Sequence, residues 1–452
     1  MLTRSRTAVS MVIAGALAAT LSVGPSATAQ TNRQTECGTH DGRGCAPRGE
    51  RVDLATPVFT NSAVITNPLF PISDLHSALL LGHVEGKPFR TETTLLPQTE
   101  TIQWQGKPIE VRLSQYMAYL DGRIAEVAID RYAQADDGSV WYLGEDVFDY
   151  VDGSVGPTEG TWLAGRDGPP AMIMPGQPAV GDVYRPENAP NIVFEEVTVQ
   201  AVGKTVDGPI GPVSGTIVVD ELHQDGTHEK KIFAPGYGEF RNGDPSGDLE
   251  ALALAVPTDA LPGLPSPELG TLASGAVAIL ESARLENWPG ATATIDRMET
   301  AWDSVQSSEQ PPKPVATAVT RSLRTLRAAI GAHQGQKVAQ AAVDLGQSAL
   351  DLELRHRPPV EIDTVRFELW TQQLRVDAAA KDRAAVTGDV ATLEWIRDRF
   401  IGTLDAAARS EIDHRLGELQ AANDAGNLTA ASDHAAELGA RIRHLTQRQP
   451  VG

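Results

Sequence analysis

A change of hydrophobic period part-way along this 452-residue chain limits its fold more than any other feature. From about residue 57 to 250, apolar residues recur at every second position. Ile109, Val111 and Leu113 alternate with Glu110, Arg112 and Ser114, and Ala125, Val127 and Ile129 alternate with Glu126, Ala128 and Asp130. Successive side chains of a strand point to opposite faces, so this spacing predicts half-buried strands. Asp121-Gly122, Asp137-Gly138, Asp152-Gly153 and Asp225-Gly226 separate such runs and suit the positive φ of tight turns. Short strands joined by tight turns predict an antiparallel meander that curls or closes into a barrel to cover its apolar face.

From about residue 270 the period becomes 3.6. Leu323, Leu326 and Ile330 fall on one helical face, as do Leu393, Ile396 and Phe400, and Ile412, Leu416 and Leu419. Aligning Leu326, Leu374 and Leu419 also aligns Leu345, Leu393 and Leu438 nineteen residues on, which predicts repeated helical hairpins. Their loops are expected at residues 331–336, 382–388 and 424–428, and a fainter copy runs through Ile279, Met298 and Val305. Hairpins that cannot bury their own apolar stripe stack on neighbours, as a bundle or a short solenoid. The expected architecture is α+β. A β-rich domain at 57–255 is followed by a proline-rich linker at 256–269, with Pro257, Pro262, Pro265 and Pro267, and a helical domain at 270–447. Each half has its own apolar pattern and is expected to build its own core.

The N-terminus reads as a secretory signal. Arg4 and Arg6 precede an apolar run from about Ala8 to Val23, and Ala27-Thr28-Ala29 supplies the small residues of a cleavage site after Ala29. Cys37 and Cys45, the only cysteines, lie in the segment 30–56 and are expected to pair in an oxidising compartment. The run near the N-terminus is short for a membrane span, and no later segment is long and apolar enough, so no transmembrane segment is expected in the mature chain.

The formal net charge is −21, and residues 51–250 alone carry −17. A nucleic-acid partner needs a basic face, which this composition denies. No G-x-S-x-G occurs, since Asp152-Gly-Ser-Val-Gly156 reads as a hairpin turn, and the chain has no His-Glu-x-x-His, phosphate-binding glycine loop or dinucleotide fingerprint. Glu353-x-x-His356 and Glu411-x-x-His414 have the spacing of two-metal carboxylate sites. Arg355, Arg357, Pro358 and Pro359 oppose that reading for the first, and surface pairs are expected. His223 and His228 flank the Asp225-Gly226 turn, where a hairpin would let them face each other.

Asn67-Pro-Leu-Phe-Pro71, Val140-Trp-Tyr-Leu-Gly-Glu145, Gly160-Thr-Trp-Leu-Ala-Gly165 with Asp167-Gly168, Gly181-Asp-Val-Tyr-Arg185 and Phe233-Ala-Pro-Gly-Tyr-Gly238 resemble a family of secreted bacterial proteins, common in actinobacteria, to which no activity is attached. The resemblance covers roughly residues 60–255 and carries over no catalytic residue. The Ala-Pro-Gly-Tyr-Gly turn is similar to one in periplasmic proteins with a curled, lipoprotein-carrier-like sheet, which implies a ligand-holding cavity.

These readings favour a secreted, non-enzymatic protein whose β domain holds an apolar or amphipathic small ligand. The ligand-lining candidates are Trp141, Tyr142, Trp162, Met172 and Met174. An envelope structural protein, using the helical hairpins to bind a protein partner, is the alternative. An extracellular hydrolase built on dispersed carboxylates such as Glu145 and Asp146 comes third. No cofactor is expected beyond a weak calcium loop, in which Asn242, Asp244, Ser246, Asp248 and Glu250 place oxygens at alternate positions around Gly247. Ala253 stands where a closing bidentate glutamate belongs, so any affinity is expected at the weak extracellular end.

Overall fold

The computed structural model describes residues 37–189 and 191–446, so the proposed signal peptide lies outside the described residues. The chain is α+β, an open antiparallel sheet of fourteen strands followed by eight helices. The strands are β1 (Ser77–Val84), β2 (Lys87–Trp104), β3 (Lys107–Leu120), β4 (Arg123–Gln134), β5 (Val140–Val151), β6 (Ser154–Val155), β7 (Trp162–Leu163), β8 (Ala171–Met174), β9 (Val183–Ala189), β10 (Val193–Asp207), β11 (Pro212–His223), β12 (His228–Ala234), β13 (Gly238–Gly243) and β14 (Leu249–Val256). Their hydrogen-bonded order is β6-β5-β4-β3-β2-β1-β14-β13-β12-β11-β10-β9, with β7 and β8 also paired to β5.

The turns follow the glycines. Asp121 and Gly122 both take positive φ between β3 and β4, as do Asp152 and Gly153 between β5 and β6. Glu85-Gly86 and Gln105-Gly106 make the same turn between β1 and β2 and between β2 and β3, without the Asp-Gly signal.

The sheet curls until its two ends share a core. Val111 of β3 and Leu143 of β5 belong to one apolar cluster with Tyr184 of β9, Val197 of β10 and Val219 of β11. These strands stand far apart in the hydrogen-bonded order, so only a curled sheet brings their side chains together. Cys37 and Cys45 form a disulfide with Cα atoms 5.5 Å apart. The stapled segment lies along the β9–β11 end, where Val52 N–H donates to the Val183 carbonyl and Ala46 N–H to Glu196 Oε1.

The helices are α1 (Pro267–Arg284), α2 (Trp288–Ser308), α3 (Lys313–Gly331), α4 (Gly335–Glu353), α5 (Pro359–Ala380), α6 (Arg383–Phe400), α7 (Ala406–Asp424) and α8 (Leu428–Thr446). They form four hairpins, and the faint copy through Ile279 and Met298 is the first of them. The expected loop at 382–388 is much shorter. Lys381 ends α5 at φ 60°, and the Asp382 carboxylate at once accepts from Ala385 N–H to start α6.

The two halves are joined through a common core. Leu79 of β1 and Ala253, Leu254 and Val256 of β14 pack in the same cluster as Leu269, Leu272, Val319 and Leu345 of the helices. On the other side of the joint, Val127 of β4 packs with Met117 and Tyr119 against Trp370 of α5 and Trp395 of α6. The turn at Gly153 is also pressed onto α6, since a Cβ there would lie 2.1 Å from the Ala384 carbonyl oxygen.

Between these apolar contacts lies a buried ion network. Glu92 of β2 accepts from Arg90 Nε at 2.9 Å and from Arg399 of α6 at 2.8 Å, with Arg366 of α5 at 3.5 Å. Asp351 of α4 accepts from Arg90 and Arg366, and Asp363 of α5 lies 3.2 Å from Arg366 and 3.3 Å from Arg399. Burial by itself would raise the Glu92 carboxyl, but the guanidiniums of Arg366, Arg90 and Arg399 hold it well below the usual carboxylate range. Removing one partner of a buried pair strands the other charge, which typically costs about 3–5 kcal/mol. Glu92→Ala is therefore expected to lower the urea-unfolding free energy by about that amount. A loss below about 1 kcal/mol, the scale of an exposed pair, would show that the network is solvated.

Candidate functional site

The alternation along β4 predicts a half-buried strand, and both of its faces are covered. The helices cover the Val127 face, and the polar face turns inward. Glu126 is 8% exposed and Asp130 6%. Both border a cavity of about 240 Å³ enclosed by the curled sheet.

Part of the cavity lining is apolar. Phe70, Ile72 and Leu75 of the loop before β1, Leu80 of β1, Phe89 of β2 and Phe233 of β12 supply it. The remainder is strongly acidic, with Glu126, Asp130, Glu145, Glu195, Glu221, Glu239 and Glu250 set against Lys231 as the one cation in the lining. Sequence position explains the arrangement, because cross-strand pairing places these groups in register. Asp130 stands opposite Glu145, Glu221 opposite Glu229, and Asn242 opposite Glu250.

The carboxylates fall into two groups. On the β10–β12 side, Glu195 Oε1 lies 3.3 Å from His223 Nδ1, and Lys231 Nζ lies 2.5 Å from Glu221 Oε2 and 3.8 Å from Glu229. Burial would lower the His223 imidazole, but its hydrogen bond with Glu195 and the surrounding carboxylates push it up to about 9. Among the described residues, Glu195, Glu221 and His223 are the group whose ligand atoms come close enough to hold one metal ion.

On the β4–β5 side, Asp130 accepts from Tyr142 Oη at 2.6 Å and from Ser114 Oγ at 3.2 Å, both neutral donors. Glu126 Oε2 has no hydrogen-bond partner. Burial, then repulsion from Asp149 and Asp130, pushes the Glu126 carboxyl up to about 8 from its ordinary 4.5. Burial raises Asp130 to about 6, and burial together with neighbouring carboxylates raises both Glu145 and Glu187. Glu250, which accepts from Thr91 and Asn242, is lifted by burial to about 7.

The residues expected to line a ligand site lie elsewhere. Trp141, Tyr142, Trp162, Met172 and Met174 are all buried in the apolar cluster that joins the ends of the sheet, and none borders the cavity. Met172 pairs with Trp141 and Met174 with Val140 across β8 and β5. Trp162 meets Tyr142 edge-on, and Tyr142 stacks at 4.8 Å on Tyr132, which does border the cavity.

The oxygens of the calcium loop are divided between two places. Asp244 Oδ1 accepts from the N–H groups of Ser246, Gly247 and Asp248 and from Ser246 Oγ, capping its own turn. Asp248 accepts from Glu85 N–H, while Asn242 and Glu250 face the cavity. His223 and His228 point to opposite faces, because His228 pairs with Leu222 and bonds Asp220 on the outer side. The two Glu-x-x-His pairs do not meet. Glu353 takes Arg357, His356 lies 3.5 Å from Glu309, and Glu411 takes Arg415 and Arg441.

Among the described residues no helix is long and apolar enough to cross a membrane. No protein-family model matches this chain, and no curated protein matches it in sequence. The functional reading therefore rests on the geometry of the cavity.

The raised carboxyls fix a pH dependence. A carboxyl whose pKa is higher folded than unfolded stabilises the fold fully below its unfolded value and loses that contribution as pH rises through the folded one. For Glu126 and Glu250 the window runs from about 4.5 up to 7–8. The ligand-free protein should thus show a Tm that falls from pH 5 to pH 8.5, and Glu126→Gln should flatten the fall. A Tm that rises across this range would mean that the interior carboxylates are neutralised within the protein.

Proposed function

We propose that this chain is a secreted, non-enzymatic binding protein that holds a small amphipathic ligand inside its curled sheet. The observation that carries the reading is a cavity of about 240 Å³ whose lining combines apolar side chains with a set of polar groups. A pocket with apolar surface and a few oriented polar groups is the usual form of a small-molecule site. The size limits the ligand. A cavity of about 150 Å³ accepts benzene, so this one suits a one- or two-ring molecule or a short chain rather than a full lipid.

Export is supported by the charged, apolar and small-residue segments ahead of Ala29 and by the Cys37–Cys45 disulfide. The helices support the cavity from outside. They press on β2–β4 through Trp370, Trp395 and the Glu92 network, so the strands carrying Glu126 and Asp130 are held from behind. Catalysis is the weaker reading because the sequence carries no recognised nucleophile arrangement beside these carboxylates.

Ala128 lies between Glu126 and Asp130, is 3% exposed and borders the cavity. Ala128→Phe should fill the space without adding charge. Native mass spectrometry of protein purified from its own host should find a near-stoichiometric small molecule on the wild type and none on the filled variant. Equal loading of both, or repeated empty preparations of the wild type under gentle conditions, would remove the carrier reading.

A further inference from the structure

Resting on that reading, we infer that the polar end of the ligand is an organic ammonium seated against Glu126, Asp130 and Glu145 on β4 and β5. The cavity's two acidic groups are differently served. On the β10–β12 side, the Lys231 ammonium and the His223 ring already stand among Glu195, Glu221 and Glu229. On the β4–β5 side no cation enters the lining. Arg131 of β4 points to the other face of the sheet and is bound to Glu100 and Asp146, and Arg112 of β3, on the cavity face opposite Tyr132, is not among the described lining residues. Buried charge without a counter-charge is costly, so this side is where an added cation lowers the free energy most.

One atom on the cavity wall marks this side as incomplete. Glu126 Oε2 is enclosed and lacks a hydrogen-bond partner. The Tyr184 hydroxyl of β9 also lacks one, but it stands beside Glu221 and Lys231 on the other side of the cavity. Buried polar atoms in folded proteins are nearly always satisfied, and an orphan on a cavity wall points to a missing partner. An alkylammonium supplies hydrogen-bond donors and no acceptors, which suits carboxylates.

Geometry separates an ammonium from a metal ion. A metal needs several ligand atoms converging on one point. The group that converges is Glu195, Glu221 and His223, where Lys231 already holds Glu221. Glu126, Asp130 and Glu145 are spread along two strands and are not among the converging groups of the described residues. An ammonium carried on an organic body accepts spread partners, and Phe89, Leu80 and Phe233 in the lining offer that body apolar surface.

The test uses the full-length mature protein and three molecules of one shape that differ in charge, 2-phenylethylamine, 2-phenylethanol and 3-phenylpropanoate, titrated calorimetrically at pH 7.5. The amine should bind at least about tenfold tighter than the alcohol, the scale of one charge-assisted hydrogen bond, and the carboxylate should not bind. Glu126→Gln should weaken the amine about tenfold and leave the alcohol unchanged, so that alcohol binding also reports an intact cavity. Asp130→Asn gives a second variant should the first not fold. Alcohol or carboxylate binding as tight as the amine overturns the ammonium and leaves the carrier reading standing. Failure of all three to bind overturns both. Displacement of the amine by zinc in the wild type but not in His223→Ala would place the cation at the Glu195 group, and the assignment to Glu126 would be wrong.

Discussion

The pairing of Glu92 with Arg366 and Arg399 is the interaction on which the rest of the structure depends. It joins β2 to α5 and α6 where both faces of the sheet are covered, and it is charge-balanced, with three guanidiniums against three carboxylates when Arg90, Asp351 and Asp363 are included. Such a network is not needed for stability alone, because well-packed apolar residues could replace it. It does require one seating of helices on sheet, since any slip leaves a buried charge without its partner. The apolar contacts around it, from Leu79 to Leu272 and from Val127 to Trp395, are less demanding of position.

The same sheet carries a second set of buried carboxylates with the opposite character. Across the thickness of β2–β4, Glu92 faces arginines while Glu126 and Asp130 face a space. The two sets respond to pH in opposite senses. Glu92 adds stability that is lost as acid protonates it, whereas Glu126 and Glu250 cost stability as base ionises them. A protein that balances one buried network fully and leaves the other short of cations has the form expected where the missing charge arrives with a ligand.

Period and turn chemistry made the architecture legible. The switch near residue 260, the hairpins at Asp121-Gly122 and Asp152-Gly153, and the repeated helical pairs can all be read because each is a local property of a few neighbouring residues. Glu85-Gly86 and Gln105-Gly106 were legible too, had glycine rather than the Asp-Gly pair been followed. The site was not. An alternating strand says which residues share a face, but not whether that face meets water, a helix or a cavity. The half-buried alternation of β4 therefore gave no reason to single out Glu126 and Asp130, and the aromatic residues, scarce and conspicuous, drew the site toward Trp141 and Trp162, which are core. The signal that pointed to the cavity was the −17 charge of residues 51–250, a sum that does not say which carboxylates lie inside, as Glu126, Asp130 and Glu250 do.

An open sheet has two ends, and each presents a row of backbone donors and acceptors that invites another chain. At the β9 end this row is partly taken up by the segment that follows the disulfide, where Arg51 bridges Val183 in parallel and Val52 N–H donates to the Val183 carbonyl. Cys37 and Cys45 thus do more than shorten a loop, for they shape the start of a strip laid along the edge of the molecule. That strip leaves fewer free backbone groups at this end of the sheet for another chain to pair with, so the short N-terminal segment, which reads as an appendage to the β domain, also covers part of its edge.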